Sequence, residues 1–156
     1  MSRVDYYHSP HAPRANSISL AVSAFVLNED GWLLMIRRTD NDLYALPGGK
    51  LELGETLSQA VTREVREETG IEVEATELLG TYSNPDHVIE YDDGEVRQEF
   101  SILFRAAPAG GSLRTSSETT EVHWVPSGRI AELNVHPSIR LRIEHGFQER
   151  DRAFFQ

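Results

Sequence analysis

Apolar side chains at Ile18, Leu20, Val22, Ala24 and Val26 occupy every second position, which predicts a strand from Ser17 to Leu27. The intervening positions are small polar or apolar residues, so both faces of that strand are expected to be at least partly covered. Asn28-Glu29-Asp30-Gly31 supplies a turn, with glycine for a positive φ, and Trp32 to Arg38 returns as a second strand. Leu46-Pro47-Gly48-Gly49 closes a short strand and enters a loop that ends at Gly54-Glu55. The period then changes: Leu57, Ala60, Val61 and Val65 make a stripe at helical spacing. This helix is expected to begin near Thr56 or Leu57 and to stop at Gly70, where a left-handed residue fits. Ile71 to Tyr82 reads as strand, and Val88–Tyr91 and Val96–Arg105 flank the hairpin signal Asp92-Asp93-Gly94-Glu95. Ala107 to Glu121, rich in Gly, Ser and Thr, reads as a loop, and Val122 to Val125 as a short strand. Pro137 to Gln148 is expected to form a terminal helix with Ile139, Ile143 and Phe147 as its stripe.

Strands interrupted by one long helix and closed by another predict an α/β fold, with a mixed sheet between helices. Residues 1–16 lack periodicity and read as an arm, flexible or docked on a partner subunit, ahead of a single domain over 17–150. A chain of 156 residues fits one domain, and 39% hydrophobic with 26% charged residues is a globular composition. With no cysteine there is neither a disulfide nor a thiolate nucleophile. No apolar run approaches the roughly 20 residues of a membrane span and the first residues are not apolar, so a cytoplasmic location is expected. The net charge of −10 argues against a broad grip on nucleic acid, although a local metal ion can still bring in a small phosphorylated ligand. None of the six histidines forms an i, i+4 pair, so a zinc site is not expected.

The acidic crowding near the end of the first helix changes the picture. Glu64, Glu67 and Glu68 stand at i, i+3 and i, i+4, within an arc of roughly 100° on a helix. Each like-charge pair costs about 0.2–0.5 kcal/mol, and the negative helix end adds about 0.3–1 kcal/mol per group. A hard divalent cation reverses the sign of all these terms. Magnesium suits, because it takes one or two carboxylates and completes its shell with water and phosphate oxygens. Arg63, eight residues after Glu55 and four before Glu67, can tie the helix to the preceding loop through its guanidinium fork. Gly48 and Gly49 serve a turn, and their missing side chains also allow close approach of the backbone to a metal or phosphate.

Gly49, Glu55, Arg63, Glu64, Val65, Glu67, Glu68, Gly70 and Ile71 fill every fixed position of the pattern G-x5-E-x7-R-E-U-x-E-E-x-G-U, where U is aliphatic. In this stretch the chain resembles the Nudix hydrolases. The resemblance implies an α/β/α sandwich and cleavage of a nucleoside diphosphate linked to a further group X, by attack of water on phosphorus with Mg²⁺, or Mn²⁺, as cofactor. It implies Glu64, Glu67 and Glu68 as metal ligands, with the Gly48 carbonyl as an added one. Glu64, Glu68, Arg63 and Glu118 are the candidate catalytic residues, and Glu55 and Gly49 the candidate orienting ones. The general base is left open among Glu64, Glu118, Glu121 and Glu99. Arg37, Arg38, Tyr44, Arg97 and Gln98 border the expected site and can hold a phosphate or stack on a base. Pro85 is a hint of ADP-ribose cleavage, though equally an ordinary turn residue. ADP-ribose or another ADP-sugar is the favoured substrate. A nucleoside triphosphate, a dinucleoside polyphosphate and a non-catalytic nucleotide sensor are the alternatives. The resemblance and the Tyr-rich arm also make a homodimer reasonable.

Overall fold

A computed structural model describes residues 2–156. The elements in chain order are β1 (Arg3–Tyr7), β2 (Ser17–Val26), β3 (Leu33–Arg38), β4 (Tyr44–Ala45), β5 (Gly48–Lys50), α1 (Leu57–Thr69), β6 (Ile71–Tyr82), β7 (His87–Tyr91), β8 (Val96–Gly111), β9 (Thr119–Val125), a 3₁₀ turn (Ser127–Glu132) and α2 (Pro137–Phe147). One sheet runs β1-β7-β8-β2-β5, with β6 also joined to β8; a smaller one runs β4-β3-β9. β2 and β8 are parallel from Ser17↔Arg97 to Val26↔Ala106 and the other pairings are antiparallel, so the large sheet is mixed.

The alternation in β2 and β3 sets the layers. Val22, Ala24 and Val26, with Leu34 and Ile36, face Ala60, Val61 and Val65 of α1. Phe25, Leu33 and Met35 face the opposite way, toward Ile143 of α2 and Leu103 of β8. Each fully buried Val, Leu, Ile, Phe or Met side chain contributes about 1.5–3 kcal/mol. The two helices therefore occupy opposite faces, as expected for a sandwich. α1 starts with a reciprocal cap: the Gln59 N–H donates to Thr56 Oγ1 at 3.2 Å, and Gln59 Oε1 accepts from the Thr56 N–H at 2.8 Å. It ends at Gly70, with φ of 79°, where an added Cβ would lie 2.3 Å from the Ser112 carbonyl oxygen.

Three expectations are corrected. Residues 3–7 are not a loose arm: they form the edge strand β1, paired with β7 of the same chain from Arg3↔Tyr91 to Tyr7↔His87. Its pattern is inverted, with Val4 turned out and Arg3 and Asp5 half-buried, which hides it from a hydrophobic reading. Gly48 and Gly49 lie in strand β5, not a loop. They approach β2 so closely that a Cβ on Gly48 would lie 2.1 Å from the Val22 carbonyl oxygen. The loop expected over 107–121 shrinks to 112–118, because β8 continues along β6 to Gly111 and β9 begins at Thr119. The chain also stays bound beyond 150: Phe154 donates to Leu79 and accepts from Thr81, both at 2.9 Å. Among the described residues no helix is long and apolar enough to cross a membrane.

Candidate active site

Arg63 organises the acidic end of α1. Its Nε and Nη2 donate to the two oxygens of Glu55 at 3.1 and 2.7 Å, and Nη2 also donates to the Lys50 carbonyl at 3.1 Å. Its Nη1 donates to Glu64 Oε1 at 2.9 Å and to Glu67 Oε2 at 3.3 Å. One guanidinium thus fixes the loop, β5 and two carboxylates of the helix. The Glu55 hydrogen bonds hold the Arg63 pKa above its ordinary value, so the fork stays charged.

Glu68 is buried, and its Oε1 accepts the Gly48 N–H at 2.9 Å. Burial pushes its carboxyl up to about 8; the Gly48 N–H opposes the shift, while Glu64 and Glu118 add repulsion. Burial also raises Glu64 above its ordinary value, against the pull of Arg63. Glu67 is exposed. Among the described residues each of the three keeps one oxygen free of protein hydrogen bonds: Oε2 of Glu64, Oε1 of Glu67 and Oε2 of Glu68. An acceptor set of charged oxygens, partly desolvated and short of donors, fits a hard oxygen-loving cation.

Beside this cluster opens a cleft continuous with solvent. Gly48 and Gly49 line one end together with Arg38 and Tyr44; Ala45, Leu46, Ile89 and Ile139 supply apolar wall. Arg38 forms a fork with Asp40 at 2.8 and 2.7 Å, and Glu68 and Glu118 lie within its electrostatic reach. Glu118 is exposed on the 112–118 loop, which is anchored by the Thr39 N–H donating to the Glu118 carbonyl at 3.1 Å.

The remaining candidates separate. Glu121 is engaged by the Tyr44 hydroxyl and by Arg37, 3.6 Å away, and Arg37 is further bound to Asp42 at 2.8 Å. Arg97 is not beside the acidic cluster. It is buried in the β7–β8 hairpin, donating to Glu95 at 3.1 and 3.0 Å and to the Tyr91 hydroxyl at 2.8 Å. Gln98 donates to the Ser83 carbonyl at 3.3 Å and does not line the cleft. Glu99 does line it, beside His87 and Arg142 rather than the acidic cluster. Pro85 sits in the turn between β6 and β7.

Sequence reasoning missed the far end of the cleft. Asp5, His87, His136, Ser138 and Arg142 gather there from β1, β7 and α2 with its N-cap, while Ser23 of β2 lines the cleft opposite Gly48. Among the described residues three buried polar atoms have no protein partner, Ser23 Oγ, His87 Nε2 and Arg142 Nε, and all three residues line this cleft. The Arg142 guanidinium lies over the Tyr82 ring at 5.1 Å. Burial opposes the charge of Asp5, but His87 and Arg3 outweigh it and hold its carboxyl below the usual range. The only local signal was His136-Pro137-Ser138, a cap with proline at the first helical position.

The fold and the acidic helix end define a class of phosphoanhydride-cleaving proteins, and comparison with known proteins agrees. Residues 18–144 match the family model described as NUDIX domain. A MutT-like protein from Streptomyces ambofaciens is 46% identical over 114 residues, covering 73% of this chain and 68% of the relative. An ADP-ribose pyrophosphatase from Methanocaldococcus jannaschii is 34% identical over 116 residues, 69% of this chain and 62% of that one. The crystal structure of an ADP-ribose pyrophosphatase from Streptococcus suis superposes with a TM-score of 0.67 at 21% identity, over 88% of this chain and 98% of that one, a likeness of fold. The chain belongs to the Nudix hydrolase family.

Proposed function

We propose that this chain hydrolyses the pyrophosphate bond of a nucleoside diphosphate linked to X, in a Mg²⁺-dependent reaction, with ADP-ribose or another ADP-sugar as the favoured substrate. The observation that carries this reading is the pair of buried carboxylates, Glu64 and Glu68, each with an uncommitted oxygen beside the glycine strand that lines the cleft. Glu64, Glu67 and Glu68 would hold the ion, with the Gly48 carbonyl as a further ligand. When bound, Mg²⁺ neutralises charge on the diphosphate and lowers the pKa of the attacking water.

The chain's own residues do the rest. Arg63 keeps Glu64 and Glu67 in register with β5. Arg38, paired with Asp40, lines the cleft and would add positive charge near the substrate's phosphates, and the apolar wall would take the less polar part of the ligand. Of the candidate bases, Glu121 is held by Tyr44 and Arg37, and Glu99 stands at the far end of the cleft. That leaves Glu64 and Glu118. We assign the proton to a carboxylate oxygen of Glu118, which is solvent-accessible and within electrostatic reach of Glu64 and Glu68. The likeness to an ADP-ribose pyrophosphatase supports the substrate class.

The test is a panel of ADP-sugars, other nucleoside diphosphate derivatives, nucleoside triphosphates and dinucleoside polyphosphates, incubated with and without Mg²⁺. Phosphorus products are scored, and ¹⁸O-water marks the phosphorus attacked. Mg²⁺-dependent release of AMP from ADP-ribose is expected. Failure to cleave any member of the panel with Mg²⁺ or Mn²⁺ refutes the reading.

A further inference from the structure

Asp5 of β1, His87 of β7 and His136 at the N-cap of α2 come from parts of the chain far apart in sequence, yet one ligating atom from each lies within 4.8 Å of the others. His87 Nε2 stands 3.6 Å from Asp5 Oδ1. That nitrogen is buried and, among the described residues, has no hydrogen-bond partner, and the His87 residue as a whole is 8% exposed. A buried imidazole nitrogen left unpaired is costly, and in a folded protein it calls for a cause.

The partners around the trio act as supports. Arg3 donates to both oxygens of Asp5 at 2.9 to 3.2 Å and fixes the carboxylate. His136 Nδ1 accepts the Ser138 N–H at 3.2 Å and lies 2.8 Å from Ser138 Oγ, so an ion at Nε2 requires the ring proton to move to Nδ1, where Ser138 Oγ can accept it in place of that bond. Tyr7 packs edge-on against both imidazoles, with centroids at 5.4 and 5.3 Å. Outer hydrogen bonds of this kind orient ligating carboxylates and imidazoles in metal centres.

We propose that Asp5, His87 and His136 form a second metal site, for a borderline transition ion of the zinc type. Two imidazoles and one carboxylate suit such an ion better than Mg²⁺, which prefers an all-oxygen shell. Three protein ligands leave a position open, and it faces the cleft, ready for an oxygen of a bound molecule. This centre is separate from the acidic cluster. β7 and β5 are three strand steps apart in the sheet, about 14 Å at ~4.8 Å per strand. In this arrangement the two imidazoles stack at 5.1 Å and 15°, so their lone pairs do not meet at one point. Loading turns the His87 ring about χ2, a broad torsion, and breaks no hydrogen bond at its Nε2.

The experiment silences the other cluster first. The Glu64→Gln/Glu68→Gln protein is titrated with Co²⁺, read by visible absorption and by calorimetry. One Co²⁺ per chain is expected, displaced by one equivalent of Zn²⁺. Adding Asp5→Asn, which keeps the shape of the side chain, or His136→Ala weakens Co²⁺ binding at least tenfold. Crystals of the unsubstituted chain soaked in Zn²⁺ provide a measurement that needs no variant: an anomalous peak among Asp5, His87 and His136 supports the site. A Co²⁺ affinity unmoved by both substitutions, or zinc peaks only elsewhere, overturns it. Neither result bears on whether the chain cleaves pyrophosphates.

Discussion

Gly49 lies against the carboxylate of Glu64: a methyl group on its α-carbon would sit 2.5 Å from both Cδ and Oε1 of that side chain. The glycine strand and the helix are therefore fitted to one another at the group proposed to meet the metal. Gly49→Ala is expected to displace the carboxylate rather than the backbone, because the obstructing atoms are the end of a flexible side chain. Turnover should fall at least tenfold, with a smaller loss in Tm. Steady-state kinetics beside a thermal melt check this, and a variant with normal kcat would show that Glu64 is free to relocate.

Arg63→Ala removes contacts to Glu55, Glu64, Glu67 and Lys50 at once. Both Tm and kcat should drop. Arg63→Lys should restore little, since an ammonium cannot reproduce the two-pronged contact with Glu55. A change confined to KM would contradict the orienting role.

Glu68 makes stability depend on pH in a defined direction. Its folded pKa is about 8 against 4.5 for the free group, so between those values the folded chain holds a proton that the unfolded chain has released. Metal-free protein should therefore lose Tm as pH rises through that window. Mg²⁺ should offset the loss, most strongly near the upper end, and Glu68→Gln should flatten the metal-free slope. Melts in EDTA and in Mg²⁺ across the window provide the check, and parallel profiles for the two conditions would be incompatible with an ion at Glu68.

The same Glu68→Gln substitution should reduce turnover by at least about a hundredfold while leaving the metal-free Tm no lower, since it removes a ligand charge and relieves desolvation. Undiminished turnover would eliminate Glu68 as a ligand.

Glu118→Gln should lower kcat by about 10²–10⁴, the usual contribution of general base catalysis. Glu121→Gln should cost far less, because that carboxylate is occupied by Tyr44 and Arg37. Steady-state kcat of both variants, measured beside thermal melts, separates them: equal losses would remove Glu118 as the base.

How much could be read from the chain depended on whether the signal was local. α1, its cap at Thr56 and its stop at Gly70 follow from neighbouring residues, as does the Arg63–Glu55 link at a spacing of eight. β1 was missed because its half-buried positions carry Arg3 and Asp5, paired with one another, instead of apolar groups, and because its strand partner β7 lies far along the chain. Arg97 was misplaced for a related reason: the hairpin supplies Glu95 and Tyr91, and strand position alone does not reveal that an arginine is already satisfied. His87 and His136 are 49 positions apart, and only the crossing of β7 with the start of α2 brings them together.

Because β2 is enclosed on both sides, with Val22, Ala24 and Val26 turned one way and Phe25 the other, a single inserted or deleted residue would exchange its two sets of neighbours. Length variation among natural homologues should therefore be purged from this segment and collect at the tips Asn28–Gly31, Asp92–Gly94 and 112–118. The last of these adjoins the acidic helix end, so drift in chain length there offers evolution a way to retune the reaction without disturbing the scaffold.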